Sequence, residues 1–477
     1  MSAAVSEPRP KIVVMKFGGT SVEDAEAIKR TVGIVKGRRD QGLQPIVVVS
    51  AMAKVTDQLL AAAATAGGGD RDGAVAISFK LRKRHLDTAD QIVGREIAEL
   101  AHFLHRQFDA LDDLLRGIAA VGELTERSTD LVVSFGERLS SIMVARAFEH
   151  RGLSGAHVDA RTCIITDSHF GKAAPLEEII EAKLLEHVLP LVEARAVPVM
   201  GGFIGANEQG VTTTLGRGGS DYTAALVGGG LYAGAIEIWT DVNGIMTTDP
   251  RICPDALRVK TISFEEAAEL AYFGAKVLHP ATILPAVQKS IPVYVLNSRN
   301  PSNEGTKITP IAPKCASPLK SIAVKKRLTI VDVVASRMLM SHGYLKAVFD
   351  VFDKYHCAID MVSTSEVSIS VTVDSNEQLP AICAELGKIA DVKYEGRKAL
   401  VCLVGEDIRG HNGIAARVFG AVRDINVRMI SQGASEINMS FMIDEEDVEE
   451  AVRSLHQEFF SDPDEAVFDA TARMAKV

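Results

Sequence analysis

The residues with the clearest capacity for chemistry follow the apolar run Ile12-Val13-Val14-Met15 and read Lys16-Phe17-Gly18-Gly19-Thr20-Ser21. Paired glycines let backbone N–H groups approach an anion closely, and the lysine ammonium beside them can neutralise it. Apolar residues continue at helical spacing from Val22 to Val32, so the glycines are predicted to open a helix whose N-terminus adds positive charge. These features predict a phosphate site, and a tight turn with a solvated lysine is the structural alternative.

A second glycine-rich loop, Thr212 to Asp221, precedes an apolar helix from Tyr222 to Leu226. It contains three glycines, the cation Arg217 and the carboxylate Asp221, which together predict a second anion site at a helix N-terminus. A guanidinium can hold a carboxylate through two parallel hydrogen bonds. In the alternative interpretation, the glycines form a turn and Asp221 caps the helix.

Two further polar segments contain candidate binding residues. Ser134-Phe135-Gly136-Glu137-Arg138 is predicted to place Glu137 in the first turn of a helix, where it either stabilises the helix dipole or binds an ammonium. The segment from Trp239 to Arg251 reads as a strand end followed by a polar turn that could accept a purine and a ribose. An ordinary Asn-Gly turn would leave Asp241 and Arg251 unexplained.

Size and composition limit the classes of function. The chain has 477 residues, of which 47% are apolar, and this length predicts about three domains. A net charge of −10 argues against a general binder of nucleic acids or anionic membranes. Scattered cysteines predict a reducing compartment without a disulfide framework or structural zinc. The sequence shows neither an apolar leader nor a membrane-spanning stretch, so the predicted location is cytoplasmic.

Short β-branched runs alternate with helical patterns over residues 11–298 and predict an α/β domain with a mostly parallel sheet and helices on both faces. Ligands of such sheets bind beyond the carboxyl ends of the strands. Residues of about 60–125 lack strand signals and predict a helical insertion that covers or packs the domain. Residues 299–321, rich in proline, predict a linker.

An internal repeat follows the linker. Gly343, Val348, Phe349, Ser365, Glu366 and Asp374 recur as Gly413, Val418, Phe419, Ser435, Glu436 and Asp444. Each copy has the pattern of a ferredoxin-like βαββαβ domain, which we assign to residues 322–396 and 397–465.

Taken together, these motifs resemble aspartokinase. The resemblance rests on KFGGTSV at Lys16 to Val22, the Ser50 to Thr56 loop, SFGE, TTLGRGGSD, WTDVNGIMTTDPR and FGAKVLHP, and it covers almost the whole chain. It implies an amino-acid-kinase domain followed by two ACT domains, in agreement with the repeat. Met246 departs from the tyrosine often found in the family, which puts a stacking contact with the nucleotide in question.

The same resemblance implies the roles of individual residues. Lys16 and Asp221 match the catalytic pair. The aspartate-binding positions are Thr56, Glu137, Arg217 and Ser220, with Glu137 on the α-ammonium and Arg217 on the α-carboxylate. The nucleotide-binding positions are Lys16, Phe17, Gly18, Gly19, Thr240, Asp241, Met246, Arg251, Lys276 and Val277. No residue is assigned as a direct metal ligand.

The implied reaction transfers the γ-phosphoryl group of ATP, bound with Mg²⁺, to the β-carboxylate of L-aspartate, the first step of lysine, threonine and methionine biosynthesis. An aspartate carboxylate, with a pKa of about 3.9, is already ionised at neutral pH, so the nucleophile needs no general base. Catalysis then depends on positioning and charge neutralisation.

The ACT pair resembles that of the single-function, lysine-inhibited class. The implied effector residues are Met338, Ser341, Gly343, Tyr344, Leu345, Asp360, Thr364 and Ser365, with Asp360 on a lysine ammonium. Because the chain ends soon after the second copy, we expect no fused dehydrogenase. Paired ACT sheets predict a homodimer or a dimer of dimers.

Two other functions stay open at this point. A sister amino-acid kinase acting on glutamate, acetylglutamate, carbamate or UMP shares the fold but lacks KFGGTSV with tandem ACT copies. A catalytically silent amino-acid-binding regulator is the other alternative, and intact Lys16, Glu137, Arg217 and Asp221 count against it.

Overall fold

The computed structural model describes residues 8–273, 280–314, 318–334, 343–374 and 377–469. The predicted site residues Lys276, Val277, Met338 and Ser341 lie outside these ranges. The chain divides into two compact units. The first comprises Met1–Gly244, Thr261–Phe264 and Val277–Ala312, and the second comprises Ile245–Lys260, Glu265–Lys276 and Pro313–Val477.

In chain order the strands are β1 (Arg9–Phe17), β2 (Gln44–Val49), β3 (Gly155–Val158), β4 (Ile165–Thr166), β5 (Val197–Gly201), β6 (Ile204–Asn207), β7 (Thr212–Thr214), β8 (Ala233–Thr240), β9 (Arg258–Val259), β10 (Thr261–Ser263), β11 (Val293–Asn297), β12 (Thr306–Thr309), β13 (Leu319–Val334), β14 (Ile359–Thr364), β15 (Ser368–Asp374), β16 (Asp391–Gly405), β17 (Met429–Gln432), β18 (Asn438–Asp444) and β19 (Phe468–Asp469).

The helices are α1 (Ala25–Asp40), α2 (Val55–Gly67), α3 (Arg71–Val93), α4 (Ile97–Val121), α5 (Glu126–His150), α6 (Glu177–His187), α7 (Leu189–Glu193), α8 (Gly219–Gly230), α9 (Phe264–Tyr272), α10 (Leu284–Gln288), α11 (Tyr344–Lys354), α12 (Leu379–Leu386), α13 (Ile414–Ala421) and α14 (Val448–Phe460). Short 3-10 turns lie at Gly19–Ser21, Gly94–Glu96, Ala160–Thr162, Pro280–Ile283 and Glu445–Asp447.

The first unit is built on a mostly parallel sheet, which confirms the predicted fold class. Its strand order is β10-β12-β11-β8-β1-β2-β5-β3, and every neighbouring pair is parallel except β11 with β12. The predicted β-branched runs form its central strands, where their side chains are buried. β1 lies between β2 and β8, so Lys16 leaves the sheet from a central strand.

Alternation along β1 determines which face each side chain meets. Val13, Met15 and Phe17 belong to the hydrophobic core that also contains residues of α1 to α5. Because successive strand side chains point to opposite faces, Lys16 projects from the other face. α8 packs on that face, where an added Cβ at Gly228 would lie 2.6 Å from Ile236.

The prediction that the glycines after Lys16 open a helix was wrong. A single 3-10 turn, Gly19–Ser21, follows them, and α1 begins at Ala25 with Asp24 as its N-cap. The Asp24 carboxylate accepts a hydrogen bond from the backbone N–H of Ala27 at 2.8 Å, which fixes the helix start there. The glycines are therefore not part of α1, which starts six residues after Gly19.

The segment predicted as a helical insertion forms α2, α3 and α4. Their apolar faces share one core with the sheet, since Leu104 and Phe108 of α4 belong to the same cluster as Val47 of β2. The glycine run between α2 and α3 ends at Asp70, which caps α3 through the N–H of Gly73 at 2.9 Å. The layer is therefore an integral part of the first unit's packing.

The second unit contains an antiparallel sheet in the order β14-β15-β13-β16-β18-β17. The repeated glycines occupy equivalent places: Gly343 and Gly413 precede α11 and α13 with φ of +83° and +80°. The elements from β13 to β16 and from β16 to α14 follow the predicted βαββα order, which confirms the ferredoxin-like repeat.

Two long strands, β13 and β16, serve both copies of the repeat. The second half of β13 pairs with β15, whereas residues 319–325 pair with residues 400–405 at the other end of β16. The second copy thus receives its last strand from residues that precede the first copy. Boundaries drawn at 322–396 and 397–465 do not express this sharing.

Candidate functional site

A cavity of about 500 Å³ lies in the first unit, at the carboxyl end of the central strands. The predicted site residues that line it are Lys16, Thr56, Glu137, Arg217, Ser220 and Asp221, and Gly218 and Gly219 of the second glycine-rich loop lie beside them. Residues from four separate motifs therefore meet in one pocket. The cavity also includes Asp130, which the sequence analysis did not single out.

Lys16 and Asp221 form an ion pair at the cavity wall. The Lys16 ammonium nitrogen lies 2.6 Å from an Asp221 carboxylate oxygen, and the two side chains are 12% and 14% exposed. Such limited exposure weakens screening by water, so the pair interacts more strongly than a surface ion pair. The carboxylate thereby holds the cation at the cavity.

The start of α8 brings Asp221 to this position. Gly218 adopts φ +76° immediately before the helix, a conformation that favours glycine. A Cβ on Gly202 would lie 2.7 Å from the Cα of Ser220, so the helix start can approach β5 this closely only because residue 202 is glycine. The N-terminus of α8, which carries a partial positive charge, therefore lies at the cavity, where its first residues form part of the wall.

Glu137 is buried in the middle of α5, so the prediction that it lies in the first turn of a helix was wrong. α5 begins at Glu126, where Thr125 caps it through the N–H of Ser128 at 3.1 Å. Glu137 Oε1 accepts a hydrogen bond from the N–H of Ala51 at 3.1 Å, and Oε2 has no hydrogen-bond partner among the described residues. Burial raises the pKa of Glu137 to about 8.

Arg217, Thr56 and Ser220 supply the other polar groups of the cavity. Arg217 is exposed, and no ion pair of its guanidinium is found within the described ranges. Thr56 lies in the first turn of α2 and Ser220 in the first turn of α8. A carboxyl, a guanidinium and two hydroxyls around one space match the groups of a small amino acid.

The Gly18-Gly19 turn is fixed from two sides. Gly18 donates its N–H to the carbonyl of Trp239 at 3.0 Å, and Ala53 donates its N–H to the carbonyl of Gly19 at 3.2 Å. The side chain of Phe17 is buried and stacks on Trp239 with ring centroids 6.0 Å apart. A contact of Phe17 with a nucleotide would therefore use its backbone.

The other predicted nucleotide positions within the described ranges do not line this cavity. Thr240 is the last residue of β8, the strand beside β1, and its hydroxyl donates a hydrogen bond to the carboxylate of the following Asp241 at 3.3 Å. Met246 and Arg251 belong to the second unit. There the Met246 carbonyl accepts a hydrogen bond from Ser321 Oγ, and Arg251 makes an exposed bidentate pair with Asp249.

Asp130 is the residue that sequence reasoning missed, because it lies in no glycine motif. Its buried carboxylate accepts hydrogen bonds from the N–H of Gly171, the N–H of Thr214 and the Thr214 hydroxyl at 2.7 to 3.1 Å. Burial raises the pKa of Asp130 although these donors oppose the rise. Asp130 thus connects α5 by hydrogen bonds to Gly171 and Thr214, which both line the cavity.

We expect Asp130→Ala to lower the free energy of unfolding by about 3 kcal/mol, because it leaves buried donors without an acceptor. Urea denaturation measures this change. Asp113→Ala removes an exposed carboxylate from a surface pair with Arg116 and should change stability by less than about 0.5 kcal/mol. Equal effects of the two substitutions would contradict the structural role of Asp130.

The described effector positions lie in the second unit. Gly343, Tyr344 and Leu345 form the start of α11, whereas Thr364 ends β14 and Ser365 bonds to Ser368. Asp360 is almost fully buried, with its side chain 4% exposed, and pairs with the Lys325 ammonium at 2.8 Å. The Tyr272 hydroxyl also donates to Asp360, at 3.3 Å.

Among the described residues, no group of three or more His, Cys, Asp or Glu side chains could hold a metal ion. Within the same ranges, none of the helices combines the length and apolar character needed to cross a membrane.

Comparison with known families and sequences gives consistent matches. Residues 11–297 match the amino acid kinase family, and residues 401–459 match an ACT domain. The chain is 39% identical to aspartokinase 2, chloroplastic, of Arabidopsis thaliana, over 94% of this chain and 85% of that protein. It is 36% identical to lysine-sensitive aspartokinase 3 of Escherichia coli, over 94% of this chain and 99% of that one.

Two solved structures of E. coli aspartokinase III are similar over the same length. One is a complex with lysine and aspartate in the T-state, and the other is a complex with aspartate and ADP in the R-state. Each has a TM-score of 0.81 and 36% sequence identity, covering 94% of this chain and all of the solved chain.

Proposed function

This chain belongs to the aspartokinase family and is an aspartate kinase, and we propose that it transfers the γ-phosphoryl group of ATP to the β-carboxylate of L-aspartate, giving 4-phospho-L-aspartate. The observation that carries the proposal is the single cavity shared by the Lys16–Asp221 pair, Glu137 and Arg217. A phosphate-binding cation and the two charged groups that an amino acid requires are thus close together.

In the proposed complex, Glu137 binds the α-ammonium of aspartate and Arg217 binds its α-carboxylate, while Thr56 and Ser220 donate hydrogen bonds. This assignment is supported by the unpartnered Oε2 of Glu137, which is a ready acceptor. The substrate's β-carboxylate then faces Lys16. The site's charges select an amino acid that carries a second carboxylate.

Lys16 neutralises the transferred phosphoryl group, and Asp221 orients Lys16. The backbone N–H of Gly19 and the partial positive charge at the N-terminus of α8 add stabilisation that needs no reorganisation during the reaction. We assign the rest of the nucleotide to Thr240, Asp241, Met246, Arg251, Lys276 and Val277. Mg²⁺ bound to ATP would add charge neutralisation on the phosphates, and Asp221, paired with Lys16, would help to organise these metal-bound phosphates.

A hydroxamate assay tests the reaction, because hydroxylamine traps an acyl phosphate. We expect a product from ATP and aspartate and none from ATP and glutamate. A product with glutamate would favour a sister amino-acid kinase. Absence of any product would favour an amino-acid-binding regulator.

We further propose that L-lysine inhibits the enzyme through the ACT repeat, in a cytoplasmic homodimer or dimer of dimers. The effector proposal is supported by the lysine-sensitive relative and by the lysine complex of a similar structure. Exposed apolar side chains of the second unit support an interface, among them Val334, Leu345, Val362, Val367, Tyr394 and Ile430. Inhibition by threonine alone would overturn the effector assignment.

Lys325 determines how an effector ammonium can reach Asp360. Since Lys325 already neutralises this buried carboxylate, we expect the effector to displace it. Lys325→Met should therefore lower the lysine concentration for half-inhibition by about tenfold, within the usual range of coupling energies. Activity is titrated with L-lysine, and Lys326→Met, an exposed neighbour, serves as the control. An unchanged half-inhibition in Lys325→Met would exclude Asp360 as the effector's partner.

A further inference from the structure

Arg84 lies on α3, in the helical layer, and does not line the cavity. Its guanidinium nevertheless contacts the backbone of two loops that build the cavity. Nη1 donates to the carbonyl of Ala53 at 2.8 Å, and Nη2 donates to the carbonyl of Glu23 at 2.9 Å. Because both nitrogens belong to one planar group, they hold the two carbonyl oxygens at a fixed separation.

The first of these loops connects β2 to α2 and carries two groups of the site. Ala51 donates its N–H to the buried Glu137 carboxylate at 3.1 Å, and Thr56 lines the cavity just beyond the loop. Lys54 adopts φ +66° at the end of the loop, a strained conformation for a residue with a Cβ. Such a loop depends on its neighbours to keep its geometry.

The second loop runs from the Gly18-Gly19 turn to Glu23. The two loops are hydrogen-bonded near the cavity, where Ser50 donates to the carbonyl of Phe17 at 3.0 Å and Ala53 to that of Gly19 at 3.2 Å. Arg84 adds a connection farther along both loops. The phosphate turn and the loop that contacts Glu137 are thereby fixed to each other and to α3.

We propose that Arg84 is a positioning residue for phosphoryl transfer, which sets the loop between β2 and α2 against the phosphate turn from outside the cavity. The inference rests on the proposed function, because it concerns how that site is held. It also gives the helical layer a role in the reaction. Loss of Arg84 should release Ala51 from Glu137 and shift Thr56, which together weaken aspartate binding.

The hydrogen bond from Ala51 provides a specific readout. That bond lowers the pKa of Glu137 against the effect of burial. Without it, Glu137 should ionise at a higher pH, so the pH at which aspartate binding reaches its full strength should also rise. A residue that only stabilised the fold would not move this pH.

The experiment compares Arg84→Ala and Arg84→Lys with Arg82→Ala. Arg82 lies half a turn away on α3 and pairs with Asp109 and Asp112, with no contact to either loop among the described residues. We expect Arg84→Ala to raise the KM for aspartate about tenfold and to move its pH dependence upward. Arg84→Lys should have a smaller effect, because an ammonium can still donate to a carbonyl but cannot hold the two oxygens at a fixed separation as the planar guanidinium does. Arg82→Ala should lower stability in urea and leave both kinetic quantities unchanged.

Each outcome decides the proposal. An unchanged KM and pH dependence in Arg84→Ala would overturn it, as would the same kinetic changes in Arg82→Ala. If Arg84→Ala does not fold, the comparison of Arg84→Lys with Arg82→Ala decides by the same criteria. Absence of aspartate-dependent phosphoryl transfer in the unmodified chain would instead reject the proposed function itself.

Discussion

Replacing Lys16 with alanine is expected to reduce turnover by on the order of a hundredfold or more, or about 3 kcal/mol of transition-state stabilisation. The ammonium lies at the cavity wall, 2.6 Å from Asp221, in a partly desolvated setting where charge neutralisation is strong. The reaction brings a carboxylate and a polyphosphate together, so loss of this cation leaves their repulsion uncompensated. Turnover at saturating ATP and aspartate measures the effect.

Lys11→Ala is the matched control, because Lys11 is an exposed lysine on the same strand. It should retain turnover close to that of the unmodified chain. A cooperative urea transition in Lys16→Ala shows that the chain still folds. Turnover near the original value in Lys16→Ala would remove Lys16 from the mechanism.

The sequence was sufficient to predict the Lys16 position because its signals are local. An apolar run of β-branched residues predicts a buried strand, and the alternating pattern of β1 places Lys16 on the face opposite Met15 and Phe17. The glycine loop before α8 likewise carries its own backbone signal in Gly218. The partnership of Lys16 with Asp221 then follows from the parallel sheet, whose carboxyl ends meet at one edge.

The position of Glu137 could not be predicted in the same way. Glycine is disfavoured in a helix interior, yet Gly136 next to it lies within α5. In the structure, a Cβ at Gly136 would lie 2.8 Å from the Cβ of Ala51, so glycine is required there by close packing between α5 and the loop after β2. Because that contact joins residues far apart in sequence, no pattern in the residues around Glu137 indicates it.

The sharing of strands between the two ACT copies could not be predicted either, because it also depends on contacts between residues far apart in sequence. The repeat itself is visible because equivalent residues recur, including the glycines before α11 and α13. Pairing of residues 319–325 with residues 400–405 instead depends on a non-local register between β13 and β16. Strand order in a sheet is not determined by order along the chain. The predicted boundaries at 322–396 and 397–465 therefore divide β16 between the two copies and assign residues 322–334 of β13 to the first copy alone, although both strands belong to one sheet.

Glu137→Gln is expected to raise the KM for aspartate by on the order of a hundredfold, because a buried neutral amide replaces the carboxylate that would pair with the α-ammonium. In the unmodified chain, Glu137 has a pKa of about 8 and must release a proton before it pairs with the ammonium. The KM for aspartate should therefore fall as pH rises toward about 8 and then level off. Steady-state kinetics across this pH range should show the fall in the KM for aspartate in the unmodified chain and no such fall in Glu137→Gln.

A measurement of stability distinguishes weaker aspartate binding by Glu137→Gln from misfolding of this variant. The pKa of Glu137 is raised from 4.5 to about 8 in the folded chain, so its contribution to stability is fully present below pH 4.5 and is lost as pH rises toward 8. Glutamine has no such dependence, and Glu137→Gln should resist urea better than the unmodified chain at neutral pH. Glu149→Gln, an exposed change on the same helix beside Arg146, should alter neither property. An unchanged KM for aspartate in Glu137→Gln would mean that another group binds the substrate ammonium. A raised KM together with unfolding at a lower urea concentration would mean that Glu137 stabilises the fold and does not bind the substrate.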